Sequence, residues 1–156
     1  MDNLQVFLMI TYEELNLQNH KITELTNILK LLLADRNICD AATTHELFFR
    51  YAELVQAHLQ VTENNIYAVL LSKGDQHAKN TANSFMSGSK EIKRIYNNYL
   101  KRWCKKDTCE LIIKDYSRFL SDTEELFESV LDRIQSETEQ LYPLVRKTTG
   151  DVVAVS

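Results

Sequence analysis

Glycine and proline are scarce in this chain, which has three glycines and one proline among 156 residues. A fold rich in strands needs many turns, and turns draw heavily on these two residues. The scarcity therefore predicts long helices with few connections.

Long apolar runs and an excess of basic charge are also missing. No run approaches the roughly 20 apolar residues of a membrane-spanning helix. The early run "VFLMI" follows Asp2 instead of the basic cluster that opens a signal peptide. The net charge of -4 argues against nonspecific binding to nucleic acid. We therefore expect neither a membrane nor a nucleic-acid partner.

The cysteines form no disulfide framework. Cys39, Cys104 and Cys109 are odd in number, and the spacing of the last two matches no metal-binding motif. This usage is typical of a reducing compartment and predicts a cytoplasmic protein.

The residues that are abundant indicate one folded domain. Hydrophobic residues make up 44% of the chain and charged residues 26%, and the length suffices for a buried core. We predict a single domain over residues 1–147 and a C-terminal tail over 148–156.

Capping signals divide the chain into four predicted helices. The first follows a cap at Thr11 and runs to about residue 36, and the second follows Thr43 or Thr44 and reaches residue 72. Gly74 and Asp75 mark the next break, after which the third helix runs to about residue 103. The fourth starts at the signal in 107–110 and continues to about residue 147. Four helices with short connections predict an all-α, antiparallel up-down-up-down four-helix bundle.

Two charged residues interrupt an apolar stripe of the fourth helix. In "DRIQSETEQLYPLV", Arg133 and Glu137 fall at helical spacing between Val130 and Leu141. Burying unpaired charge is costly, so each must pair with the other or with a third group.

Other helices place polar side chains near the predicted core. His58 lies on the apolar stripe of the second helix, and Thr62 follows one turn later. His77 opens a face of the third helix that continues with small residues, including Gly88. These residues also have structural interpretations. A histidine on an apolar face can be a hydrogen-bonded core residue, Thr62 can bond to its own helix, and Arg133 can pair with Glu137.

Several segments together resemble the hemerythrin-like (HHE cation-binding) domain family, over about residues 12–145. The matching segments are "NLQNHKITELTNIL", "ELFFRYAELVQAHLQVTENNIY", "GDQHAKNTANSF" and "LFESVLDRIQSETEQLYPLV". The resemblance implies four antiparallel helices around a non-haem di-iron centre held by histidines and carboxylates.

Carried over residue by residue, the resemblance implies an incomplete ligand set. The implied metal ligands are His20, His58, His77 and Glu137. Thr62 stands in place of a bridging glutamate and Arg133 in place of a histidine, while Glu63 is a neighbouring acid on another face. Three imidazoles and one carboxylate suit one divalent ion better than two, and a guanidinium can replace a cation by pairing with Glu137.

Two functions remain open. The resemblance implies a metal-binding domain, with mono- or dinuclear non-haem iron, for dioxygen or nitric oxide sensing or binding, or for iron handling. The alternative is a metal-free helical-bundle interaction protein in which Arg133 and Glu137 replace the metal centre. Tyr96, Tyr99 and Trp103 are then candidate contacts for a protein partner, although packing at the bundle end explains them more simply. No nucleophile–base pair or phosphate loop indicates an enzyme.

Overall fold

The computed structural model describes residues 12–105, 107–108 and 110–150. The α-helices of this part are α1 (Tyr12–Leu33), α2 (Arg36–Cys39), α3 (Ala42–Val61), α4 (Ala68–Lys73), α5 (Gln76–Trp103), α6 (Tyr116–Ser136) and α7 (Tyr142–Thr149). Two π-helical segments, π1 (Thr62–Tyr67) and π2 (Glu137–Leu141), join α3 to α4 and α6 to α7 without a break. The predicted all-α class is confirmed.

Aspartates cap three of these helices. Asp35 caps α2, Asp75 accepts a bond from the Ala78 amide at the start of α5, and Asp115 accepts one from the Arg118 amide at the start of α6. A carboxylate in this position satisfies amides that have no partner within the helix. The sequence-predicted cap at Asp75 is therefore confirmed.

Other predicted boundaries are wrong. Helix α3 follows Ala41, and Thr44 instead donates its hydroxyl to the Ile38 carbonyl. Glu110 of the start signal in 107–110 instead belongs to a short antiparallel pair of strands, β1 (Cys104–Lys105) and β2 (Glu110–Leu111), and α6 begins at Tyr116. The predicted cap Thr11 lies outside the described residues, as does Cys109.

The long helices contact one another in sequence order and close on the first. Helix α1 packs against α3 and α6, α5 packs against α4 and α6, and α4 also contacts α7. Helix α7 ends at Gly150, whose φ of 75° is the left-handed conformation that favours glycine. The helix therefore extends two residues beyond the predicted domain end at 147.

The described residues form two apolar clusters in the interior. The larger, called here the main cluster, includes Phe48, Tyr51, Phe119, Leu126 and Phe127. The smaller, called the terminal cluster, includes Leu15, Ile66, Leu70, Leu141 and Tyr142. Buried or half-buried polar side chains lie between these positions on every long helix, and we call them the polar layer: Gln18, Asn19, His58, Thr62, Ser89, Arg133 and Glu137.

Both π segments begin at the polar layer. A π turn closes an i→i+5 ring, one residue larger than the α-helical ring, and such turns occur often at functional sites. Segment π1 starts at Thr62 and π2 at Glu137. Pro143 follows π2 closely, in the first turn of α7. In a regular α-helix a proline ring would crowd the carbonyl four residues earlier, which here lies within π2.

Within residues 12–105, 107–108 and 110–150, no helix has both the length and the apolar content needed to cross a bilayer.

Candidate functional site

Glu137 is the centre of the polar layer. Its side chain is fully buried, with 0% exposure. One carboxylate oxygen, Oε1, lies 2.7 Å from His58 Nε2 and accepts a bond of 3.2 Å from the Tyr142 hydroxyl. The other, Oε2, accepts a bond of 3.3 Å from Arg133 Nε. Both oxygens of the buried carboxylate are therefore satisfied from within the protein.

His58 connects Glu137 to the first helix. The side chain is buried, and its second ring nitrogen, Nδ1, lies 2.9 Å from the side-chain oxygen of Gln18. Both ring nitrogens thus face oxygen atoms, Nε2 the Glu137 carboxylate and Nδ1 the Gln18 amide. The histidine acts as a hydrogen-bonded bridge between α1 and π2.

Arg133 contacts Oε2 of Glu137, the carboxylate oxygen that does not contact His58. One of its terminal nitrogens, Nη2, donates to the Phe85 carbonyl at 2.8 Å and also to the Tyr67 hydroxyl. The guanidinium carbon lies 4.7 Å from the centre of the Phe85 ring, within range of a cation–π contact. This one side chain therefore links α6 to π1, to π2 and to α5.

Gly88 gives the guanidinium its space. A β-carbon at this position would lie 2.8 Å from Arg133 Nη1, closer than real β-carbons approach other atoms. The small residue on α5 that the sequence singled out thus makes room for an arginine.

Two tyrosines complete the layer. The Asn19 amide donates to the Tyr142 hydroxyl at 2.9 Å, and that hydroxyl in turn donates to Glu137. Burial, followed by the charge of Glu137, raises the pKa of Tyr142. Burial also raises the pKa of Tyr67 to about 12, although the adjacent Arg133 acts in the opposite direction. Both hydroxyls consequently stay protonated at neutral pH and act as donors.

Thr62 serves its own helix. Its hydroxyl donates to the His58 carbonyl at 2.8 Å, the back-bonding pattern of a buried threonine. The side chain stands where the resemblance implies a bridging glutamate, and it supplies no carboxylate there.

The structure does not bring His20 or His77 to Glu137. The His20 side chain is 71% exposed and lies 3.4 Å from Glu24 on the outside of α1. The buried face of α5 begins at Ala78, one residue after the exposed His77. At its start this face is therefore rotated by one position, about 100°, from the face that the sequence predicted. The predicted joint placement of these two histidines with His58 and Glu137 is therefore wrong.

Glu63 also points away from the layer. It is exposed and forms an ion pair with Lys93 of α5. Glu63 follows the buried Thr62 by one position, about 100° around the helix, and therefore lies on the outer face.

Sequence reasoning missed several partners in the layer: Gln18, Asn19, Tyr67, Phe85 and Tyr142. The sequence pattern could have indicated one of these residues, Asn19. Asn19 stands at helical spacing between the apolar residues Leu15 and Ile22, so it interrupts a stripe just as Arg133 does.

The residues present do not fit the di-iron centre that the resemblance implies. The carboxylate of Glu137 is shared among His58, Tyr142 and a guanidinium, whose positive charge opposes a second cation at the same place. Among the described residues, no three His, Cys, Asp or Glu side chains are placed to hold a metal ion together. A dinuclear site needs several carboxylates to neutralise two cations.

No family model matches the chain, and the comparisons with curated proteins and with solved structures give no match either. The resemblance to hemerythrin-like domains stays a prediction from the residues.

Proposed function

We propose that this protein is a metal-free, non-enzymatic interaction protein, built as a hemerythrin-like four-helix bundle in which Arg133 and Glu137 take the place of the metal centre. The observation that carries the proposal is the position of Arg133. Its Nε donates to Glu137 in the core, and its remaining nitrogens are directed to Phe85, Tyr67 and the space beside Gly88.

The electrostatics support a guanidinium in place of a metal. A buried carboxylate needs a positive partner, because its charge is poorly solvated in the interior. Arginine supplies a permanent positive charge and several donors in one plane, so it can neutralise Glu137 and bridge three neighbouring segments. One side chain of α6 then holds π1, π2 and α5 together, as a metal ion holds the helices that supply its ligands.

The order of the layers along the chain supports the bundle. Helices α1 and α5 pass from the terminal cluster through the polar layer to the main cluster. The α3–α4 and α6–α7 segments pass through the same layers in reverse. This alternation is what an up-down-up-down arrangement requires.

An interaction role is supported by the outer surface. Large apolar side chains are exposed on α1 and α2: Leu17, Ile28, Leu31 and Ile38. The aromatic contacts considered from the sequence, Tyr96, Tyr99 and Trp103, are instead buried in the main cluster and belong to its packing.

Metal loading tests the proposal directly. The full chain is incubated anaerobically with Fe(II), or with Zn(II), then desalted and measured by elemental analysis. We expect less than about a tenth of an equivalent of bound metal per chain. To bind, the metal must displace the existing hydrogen bonds of His58 and Glu137, beside the positive charge of Arg133. The variant Arg133→His removes that cation and restores the family's ligand type, so it is expected to retain more metal than the wild type.

A stoichiometric metal in the wild type, lost in both His58→Ala and Glu137→Ala, would contradict the proposal. That outcome would favour the hemerythrin-like alternative, a non-haem iron domain that binds dioxygen or nitric oxide. Circular dichroism of each variant is the control for folding.

A further inference from the structure

The outer face of α1 carries an exposed strip with a regular pattern. Leu17 is 54% exposed, Ile28 is 46% exposed and Leu31 is 77% exposed. With the exposed Lys21 and Glu24 between them, these residues follow spacings of 4, 3, 4 and 3. That is the heptad spacing of a coiled-coil seam.

This strip faces away from the protein's own core. The buried residues of α1 are Leu15, Asn19, Ile22, Thr26, Leu29 and Leu33. At about 100° per residue, they lie on the side of the helix opposite to the strip. Helix α1 thus has two apolar faces, and the described part of the chain covers one of them.

We propose that the strip binds the same strip of a second copy of this chain, in an antiparallel pair of α1 helices. One register places Lys21 opposite the second copy's Glu24 and, by symmetry, Glu24 opposite its Lys21. The same register places Leu17 opposite the second copy's Ile28 at both ends of the charged pair, and Leu31 against the stem of Glu14. Such self-complementarity is what a two-fold interface requires.

Charge selects the antiparallel direction. An in-register parallel pair would place Lys21 against a second Lys21, and Glu24 against a second Glu24, which are repulsive contacts in a seam. The antiparallel register turns both into attractions. Among the ion pairs of the described residues, Glu24 takes part in one, with the exposed His20 at 3.4 Å. Its side chain is exposed and is therefore accessible to a partner.

The expected dimer is weak and reversible. From Leu17 to Leu31 the strip is about 21 Å long, since a helix rises about 1.5 Å per residue. One such seam buries less than the roughly 800 Å² per partner of a standard stable interface. We therefore expect dissociation in the micromolar range or above.

The inference gives a partner to the interaction role proposed above and rests on that proposal for its functional meaning. The geometry of the strip is independent of that proposal, because the strip lies on the outer face of α1 and the Arg133–Glu137 pair lies in the core of the protein. Metal binding could overturn the first proposal and leave the dimer intact, and the reverse holds as well.

Sedimentation equilibrium of the full chain, over about 5 to 500 µM, is the test, because mass action makes dimer content depend on concentration. The wild type is expected to dimerise. Leu17→Ala combined with Ile28→Ala should weaken the dimer at least tenfold, and Lys21→Glu or Glu24→Lys should each weaken it about tenfold. Lys30→Glu on α1 and Glu53→Lys on α3, exposed changes of the same charge outside the strip, should have little effect.

Mixing the two charge variants separates the proposed register from any other contact. The Lys21→Glu chain carries two acidic side chains in the strip and the Glu24→Lys chain two basic ones, so each should repel itself. A one-to-one mixture pairs acid with base at both positions and should restore dimerisation to the wild-type level or above. The combined variant, Lys21→Glu with Glu24→Lys, should also dimerise.

Three results would overturn the proposal. The first is a wild type that stays monomeric over the whole range, and the second is a dimer that the strip variants leave unchanged. The third is a chain that dimerises only after removal of residues 1–11, which would assign the strip to the chain's own "VFLMI" segment.

Discussion

At the scale of single residues, the interior depends on a match between an arginine and a glycine. Arg133 needs the open volume beside Gly88, and Glu137 needs the charge of Arg133. A buried ion pair contributes little by itself, but removing one partner leaves the other charge uncompensated. The two positions should therefore depend on each other energetically.

A double-mutant cycle on Gly88 and Arg133 measures that dependence. Gly88→Ala should lower the free energy of unfolding by up to about 2 kcal/mol, because overpacking of the guanidinium costs about 1–3 kcal/mol and the helix propensity of alanine offsets about 1 kcal/mol. Arg133→Met should cost about 3 kcal/mol, because Glu137 loses its cation. In the double variant the methyl group meets a flexible, uncharged side chain, so the cost of the alanine should vanish or become a small gain from helix propensity. Urea denaturation of all four proteins gives the coupling.

Two surface changes serve as controls for this cycle. Ser84→Ala is an exposed alanine substitution on α5, and Arg94→Met removes an exposed arginine that pairs with Glu91. Each should change stability by less than about 0.5 kcal/mol. Strictly additive effects at Gly88 and Arg133 would show that the two residues do not share the space described here.

At the scale of elements, the π segments keep two helices continuous across the polar layer. Each π turn contains one residue more than an α turn, so the helix absorbs an extra residue while the faces before and after it still point inward. In π2 this places the Tyr142 hydroxyl on the carboxylate of Glu137, five residues earlier. The apolar residues downstream, including Leu141, then reach the terminal cluster.

Deleting one exposed residue from π2 should therefore be tolerated. Without Gln140 the segment can close as a regular α-helix, and Leu141 and Tyr142 keep their direction. We expect a cooperative fold, with a loss of less than about 2 kcal/mol. Circular dichroism and thermal melting measure the outcome.

Deleting Glu128 from the α-helical part of α6 is the matched comparison. Both residues are exposed, but here no extra residue is available, and every downstream side chain rotates by about 100°. This variant should lose its cooperative unfolding transition. Equal damage from the two deletions would contradict the role given to π2.

At the scale of the whole molecule, buried tyrosines spread the sensitivity to alkali across the core. Burial raises the pKa of Tyr67 and of Tyr96 to about 12, and it raises the pKa of Tyr51, Tyr99 and Tyr142 further. These rings lie in both apolar clusters. Because the folded state holds these protons more tightly than the unfolded state, their contribution to stability is present below pH 10 and is lost above it.

The free energy of unfolding should accordingly fall between pH 10 and 12. Each tyrosine with a pKa near 12 should contribute a loss of roughly 2 kcal/mol by the end of this range. Urea midpoints measured at pH 8, 10, 11 and 12 follow stability, and ultraviolet absorbance follows tyrosinate formation. The two signals should change together.

Tyr96→Phe is the control for the alkaline transition. It removes one titrating hydroxyl, which donates to the Ala52 carbonyl, and should reduce the slope of stability against pH by about one proton. Complete tyrosine ionisation before any unfolding would contradict the assignment of these rings to the interior.

The sequence by itself determined the all-helical class, the break at Gly74 and Asp75, and the positions of His58, Arg133 and Glu137 in the interior. These follow from local rules, because helical periodicity, capping and the scarcity of turn residues act over a few neighbouring positions. The same rules placed α6 too early, since a start signal in 107–110 resembles the true cap at Asp115.

Only the tertiary structure decided which polar groups meet. His77 and Ala78 differ by one position, about 100° on the helix, and that rotation separates an exposed histidine from a buried core residue. Likewise, the contacts of Arg133 with Phe85 and Tyr67 join residues 48 and 66 positions apart. Local patterns carry no information about such pairings, which are fixed by how complete helices pack around the volume left by Gly88.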